Sequence, residues 1–204
     1  MSMSCPLLSP TIIIRRNQNM KDEYWLLINN HCLHLVNWGG IGLAKFDELN
    51  NNISKILLRL LESQNLCKYL YYNNSEPLNN PDIDDTSSLL FKKIYTIPKL
   101  PDVSNEQGSY LVVMLDSVKL DNNLTVKEVI VKFHIIVHIN QWVINGALRP
   151  YKIIHEIETL LNNQRITGIK KMQMDHVKFK KVNNDFFGYK LYYKIVNKNL
   201  SDDK

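Results

Sequence analysis

His134 and His138 stand four residues apart, the spacing at which two imidazoles on a helix can share a metal ion. They lie, however, in a run from Val126 to Ile139 whose branched and aromatic content calls for a strand. Four residues of strand span about 13 Å, too far for bonds of about 2 Å to one zinc. Both are therefore expected to be sheet-surface histidines, with no metal between them. His155-Glu156 begins a zinc-peptidase motif that no second His completes. Asp102, Asp116 and Glu128 offer carboxylates for a metal-dependent nuclease, but Asp116 is followed by Lys119 rather than by a Lys two positions on. Asp175-His176 holds acid–base residue types and reads as an exposed strand edge.

The remaining templates also fail. No Gly-x-x-x-x-Gly-Lys phosphate loop occurs, and Gly39, Gly40 and Gly42 are not followed by Lys-Ser/Thr at a helix start. A Gly-x-Ser-x-Gly elbow is missing. Cys5, Cys32 and Cys67 fit neither metal knuckles nor a disulfide framework, so a reducing compartment and a buried, apolar Cys67 are expected. The expectation is a protein that is not an enzyme and holds no cofactor.

Charge is unevenly placed. Residues 1–150 hold 14 basic and 14 acidic side chains, whereas residues 151–204 hold 11 and 6, so the whole net charge of +5 lies in the last quarter. Lys178 and Lys180 fall on one face of a strand, with Lys170 and Lys171 at its start and Lys181 near its tip. A patch of this kind can meet a phosphate backbone without reading sequence, or an acidic protein neighbour.

The elements that must position these residues follow from periodicity. Thr11–Ile14, Tyr24–Ile28 and Cys32–Val36 are short apolar pieces, the last two separated by Asn29-Asn30, and read as a small β-meander. Gly39-Gly40 and Gly42 are expected to form a hinge. Ile53, Ile56, Leu57, Leu60 and Leu61 are helically spaced, and Leu66 and Leu70 continue in a second, short helix after a break near Ser63–Asn65. Residues 73–109 are polar, carry Pro77, Pro81, Pro98 and Pro101, and hold one strand-like segment, Phe91–Ile97. So long a loop inside a domain is uncommon unless it has a task.

Tyr110–Leu115 and Thr125–Ile139 read as strands joined through Asp121-Asn122-Asn123. In the longer strand Val129, Val131, Phe133, Ile135, Val137 and Ile139 alternate with Ile130, Lys132, His134, Ile136 and His138. Two largely apolar faces predict a central strand, covered by helices on one side and by something else on the other. Leu148-Arg149-Pro150-Tyr151-Lys152-Ile153-Ile154-His155-Glu156-Ile157 marks a strand-to-helix junction, with proline where its missing N–H costs nothing. Ile153, Ile154, Ile157, Leu160 and Leu161 give that helix one apolar face, and it ends near Asn162-Asn163. Lys171–Val182 and Phe187–Val196 then form a hairpin around Asn183-Asn184-Asp185.

The predicted fold class is α+β: a mainly antiparallel sheet with two helical elements packed on it, plus an N-terminal β-meander extension. Residues 1–46 form the extension and 47–204 the domain, with a long loop or arm at 73–109. No apolar run approaches the roughly 20 residues of a spanning helix, and Met1–Pro10 lacks the pattern of a secretory signal. No membrane association is expected.

Residues 47–197 resemble the neck and tail-completion proteins of tailed bacteriophages, the head-to-tail joining and tail terminator family. The likeness is carried by Ile53–Leu61, Asn65–Tyr72, Pro77 through Pro81-Asp82-Ile83, Ile94–Pro101 and Leu148–Ile157. It implies a structural virion protein: a cyclic, six- or twelve-fold ring in the neck between portal and tail, assembled in the host cytoplasm. Its partners would be neighbouring neck, portal or tail-tube proteins, with genomic DNA passing through the lumen. On that reading the stretch with Pro77, Pro81, Pro98 and Pro101 is an inter-ring docking arm, and Lys170, Lys171, Lys178, Lys180 and Lys181 face the channel or an acidic neighbour. A second reading is a small non-enzymatic nucleic-acid-binding protein that uses the lysine hairpin with Tyr189, Tyr192 and Tyr193. An enzyme of unrecognised type ranks last.

Overall fold

The computed structural model describes residues 26–28, 31–33, 44–99, 107–120, 126–166 and 171–196. The chain divides into two units, Met1–Ala44 and Lys45–Lys204. In the first, β1 (Leu26–Ile28) pairs antiparallel with β2 (His31–Leu33), Leu26 opposite Leu33. The third expected strand at Thr11–Ile14, the Asn29-Asn30 turn and the glycine hinge lie outside the described residues.

The second unit is the α+β domain. Helix α1 (Ala44–Leu61) buries Leu49, Ile56, Leu60 and Leu61, the apolar positions that recur at helical spacing. It stops because Ser63 caps the next helix: its Oγ accepts from the Leu66 N–H at 3.3 Å, starting α2 (Gln64–Tyr71). Cys67 sits in α2 fully buried, as expected, and burial pushes its thiol up to about 12.

The sheet runs in the order β3 (Ile94–Tyr95), β4 (Ser109–Leu120), β5 (Val126–His138), β9 (Phe186–Val196), β8 (Met172–Lys181). Only β3–β4 is parallel; the other pairings are antiparallel. The strand with two apolar faces, β5, is the central one, as its pattern requires. Val129, Val131, Phe133, Ile135 and Val137 are buried in the same core as Ile56, Leu60, Leu66 and Leu70 of α1 and α2. Ile153, Ile157 and Leu161 of α3 (Arg149–Leu161) complete that core. Between β5 and α3 a miniature hairpin, β6 (Val143–Ile144) with β7 (Ala147–Leu148), turns through Asn145-Gly146, where Gly146 takes φ +72°.

Strand β4 is longer than its apolar stretch. It runs past Leu115, through a bulge at Asp116, to Leu120, because its polar end still pairs with β5. The strand-like segment Phe91–Ile97 shrinks to the two residues of β3, preceded by Phe91 at φ +59°.

Over residues 73–99 the expected arm is a strap bonded to the body. Gln64 clamps Ile83 from both sides, Nε2 donating to its carbonyl and Oε1 accepting from its N–H, each at 3.0 Å. Tyr72 Oη donates to the Pro81 carbonyl at 3.0 Å, and Lys68 pairs with Asp82 at 2.7 Å. Pro77 is buried and Pro81 and Pro98 are exposed, while Pro101 lies outside the described residues. Side-chain bonds to loop backbone leave no periodic trace in a sequence, so these contacts are visible only in the structure. Among the described residues no helix is long and apolar enough to cross a membrane.

Candidate nucleic-acid interface

Helices cover one face of the sheet; the register decides what stands on the other. Side chains alternate along a strand, so antiparallel partners share a face. Three cross-strand rows result. Lys178, Lys190, His134 and Val112 align; so do His176, Tyr192, Lys132 and Met114; so do Lys180, Gly188, Ile136 and Tyr110. The β4 side of this face is a small apolar cluster of Tyr110, Val112, Ile136 and Phe186. Towards β8 it turns basic.

Some of this charge is neutralised locally. Lys132 pairs with Asp116 at 2.5 Å, and Asp175 holds both Lys194 at 2.5 Å and His176 Nδ1 at 2.7 Å. The Lys194 and His176 contacts hold the Asp175 carboxyl below its usual range. Lys178, Lys180 and Lys190 have no ion pair among the described residues. Partial burial, then the charges of Lys132 and Lys180, lowers the affinity of Lys190 for its proton. His134 sits beneath them with Nε2 buried and without a hydrogen-bond partner among the described residues. Burial first, then Lys190, Lys132 and Lys180, pushes it down to about 4, so it is neutral at pH 7. Positive charge concentrated and uncompensated on one face is a surface for polyanions.

Gly188 keeps the rows in register. A Cβ built there would meet the Ile135 carbonyl oxygen at 1.7 Å, so any other residue forces β9 away from β5.

Of the five lysines singled out from the sequence, the fold brings two together on this face, Lys178 and Lys180. Lys181 belongs to the helix side, its Nζ 5.8 Å from the Phe187 ring centroid. Lys171 is exposed just ahead of β8, and Lys170 lies outside the described residues. Lys190, Lys132 and His134 join the site from β9 and β5. Alternation alone places Lys190 opposite in sense to Leu191, but only the register sets it beside Lys178.

The tyrosines separate in the same way. Tyr193 is fully buried, edge-to-face with Phe133 at 5.3 Å, and offers no platform for a base. Tyr189 lies on the helix side, sharing an Oη–Oη hydrogen bond of 3.0 Å with Tyr151. Tyr192 is on the basic face, with the His176 ring stacked on it at 4.3 Å. The expectation of two surface histidines needs correction. His138 is buried and its Nδ1 accepts from the Asn140 N–H at 3.1 Å, capping the turn after β5, while His134 is partly buried. Their common strand had concealed their different depths. Asp116 and Glu128 each serve a lysine, and no cluster of three metal-ligating side chains occurs among the described residues.

A family model described as YomW matches residues 63–195. The chain belongs to the YomW family. That match opens at the Ser63 cap and closes within β9, so the YomW portion holds the strap, α3 and the whole basic face. The name YomW is of phage type, which associates the chain with phage proteins and stops short of a neck or terminator role. No curated protein matches the chain.

Proposed function

We propose that this chain is a non-enzymatic structural protein of the phage virion that meets DNA through its phosphates. It does so as a subunit of a ring in the neck, between portal and tail, assembled in the host cytoplasm. The observation that carries this reading is the grouping of Lys178, Lys180 and Lys190 on the helix-free face without carboxylate partners among the described residues. A ring multiplies so small a patch into a positive girdle, and phosphate contact without base readout suits DNA that must slide past. Membership of the YomW family, with its phage-type name, is consistent with this setting. The YomW portion contains the basic face, which supports assigning the role to that part of the chain.

The specific observation behind a second reading is the His176–Tyr192 stack beside Lys132, an aromatic and basic pairing that a single-stranded nucleic acid can use. On that reading the protein acts alone as a small nucleic-acid binder.

One pair of measurements tests both. Particle mass by light scattering against concentration reports ring formation, and duplex and single-strand binding against salt reports phosphate contact. A large annular species whose affinity for duplex falls steeply with salt supports the neck ring. A monomer that prefers single strands supports the second reading, and a protein indifferent to both nucleic acids ends the phosphate assignment.

A further inference from the structure

The hairpin has an edge as well as a face. β8 is the last strand of its sheet, hydrogen-bonded to β9 on one side only, so half of its backbone groups have no ladder partner within that sheet. Its two faces differ. Lys178 and Lys180 stand on the helix-free side, while Val177 and Phe179 stand on the helix side, 41% and 53% exposed. Beside Phe179, the rings of Phe187 and Trp142 and the side chain of Ile139, itself 53% exposed, line a shallow cleft of about 270 Å³. Phe179 and Phe187 stack at 6.5 Å, and Trp142 meets Phe187 edge-on at 6.3 Å, so the cleft walls are held in place.

Lysines on an edge strand usually disfavour pairing with a second copy. Two β8 edges brought side by side would crowd Lys178, Lys180 and Lys181 against their counterparts. The same charges select a partner of opposite sign. An added strand continues the alternation of β8: its residues on the helix-free side would lie next to Lys178 and Lys180, and those on the helix side next to Val177, Phe179 and the cleft.

We propose that β8 is a docking edge for an extended segment of a partner protein that alternates carboxylate and apolar side chains. Its backbone adds a strand to the sheet, its carboxylates pair with Lys178 and Lys180, and one apolar side chain enters the cleft lined by Ile139, Trp142, Phe179 and Phe187. The phosphate reading and this one share Lys178 and Lys180, and part at Lys190 and Phe179.

The full chain is titrated against a labelled peptide as long as β8 that alternates Asp and Leu, followed by fluorescence anisotropy. Two control peptides carry Lys for Asp, or a central proline. Saturable binding of the Asp–Leu peptide alone is expected, weakened about tenfold or more by Phe179→Glu and by the Lys178→Glu/Lys180→Glu pair, and far less by Lys190→Met, which removes a charge one strand further from the edge. Phe179→Ser serves as the second variant if the Glu substitution perturbs the circular dichroism. Equal binding of the proline peptide, insensitivity to both Phe179 variants, or no saturable binding of the Asp–Leu peptide overturns the proposal. If the uncharged Phe179→Ser weakens duplex DNA and peptide alike, the cleft is not specific to a protein partner and the proposal is overturned.

Discussion

Arg149 Nη1 donates to the carbonyl of Tyr69 at 2.8 Å, joining the first turn of α3 to a residue eighty positions earlier. The same guanidinium reaches the carbonyls of Tyr72 at 2.7 Å, Asn74 at 2.5 Å and, through Nε, Gln141 at 2.9 Å. Arg149 is 1% exposed. Its charge is satisfied by the carbonyl end of α2, where a helix is partially negative, and by the start of the strap.

This arrangement predicts the cost of losing it. Arg149→Met keeps the apolar stem but leaves four carbonyls without their donor, and should destabilise the domain by about 3–5 kcal/mol. Arg149→Lys should recover only part, since an ammonium cannot span the same four oxygens. Urea denaturation of the two variants checks both values.

Gly188→Ala should be disproportionate to its size. With Ile135 O 1.7 Å from the new methyl, β9 must shift and the β5 pairing loosen, at about 2–3 kcal/mol. Amide exchange should show protection lost first in β8 and β9. Unaltered exchange there would mean that the backbone accommodates the methyl.

His134 makes stability depend on pH. Its folded value is pushed down to about 4 while an exposed imidazole titrates near 6.5, so the unfolded chain binds the extra proton between these limits. Stability is highest above about 6.5, falls as pH drops towards 4, and loses up to about 3 kcal/mol from this group. His134→Gln should flatten that part of the profile while leaving the neutral-pH value close to wild type. Chemical denaturation at several pH values gives the comparison.

Lys190 should trade stability against affinity. It lies opposite Lys178 in β8, and a like-charge pair across strands costs about 0.2–1 kcal/mol. Lys190→Met should therefore raise the unfolding midpoint slightly, yet weaken duplex binding and reduce the logarithmic salt slope by about 1. A midpoint that falls would place the value of Lys190 in packing.

Much of the fold was legible because it follows from local rules. Pro150 and the 153-154-157-160-161 spacing located α3; the doubly apolar run around Phe133 named the central strand; Asn183-Asn184-Asp185 marked the last turn. There Asn183 Oδ1 accepts from the N–H groups of Asp185 and Phe186. Each rests on a period or a turn preference that neighbouring residues share. The strap was not legible, because Gln64, Tyr72 and Arg149 hold it by side-chain bonds to distant carbonyls.

By itself the sequence determined the α+β class, the α1–α2 and α3 helices and the C-terminal excess of lysine. It also set the alternation that gives each strand two faces. The tertiary structure alone decided which side chains of other strands join Lys178 and Lys180 on their face. Register is a relation between strands far apart in the chain: it set Lys190 and His134 beside Lys178 and buried Tyr193. A shift of one residue in either pairing would undo the placements that rest on it, and no local pattern specifies the register; the packing of Val131, Phe133 and Leu191 against the helices does.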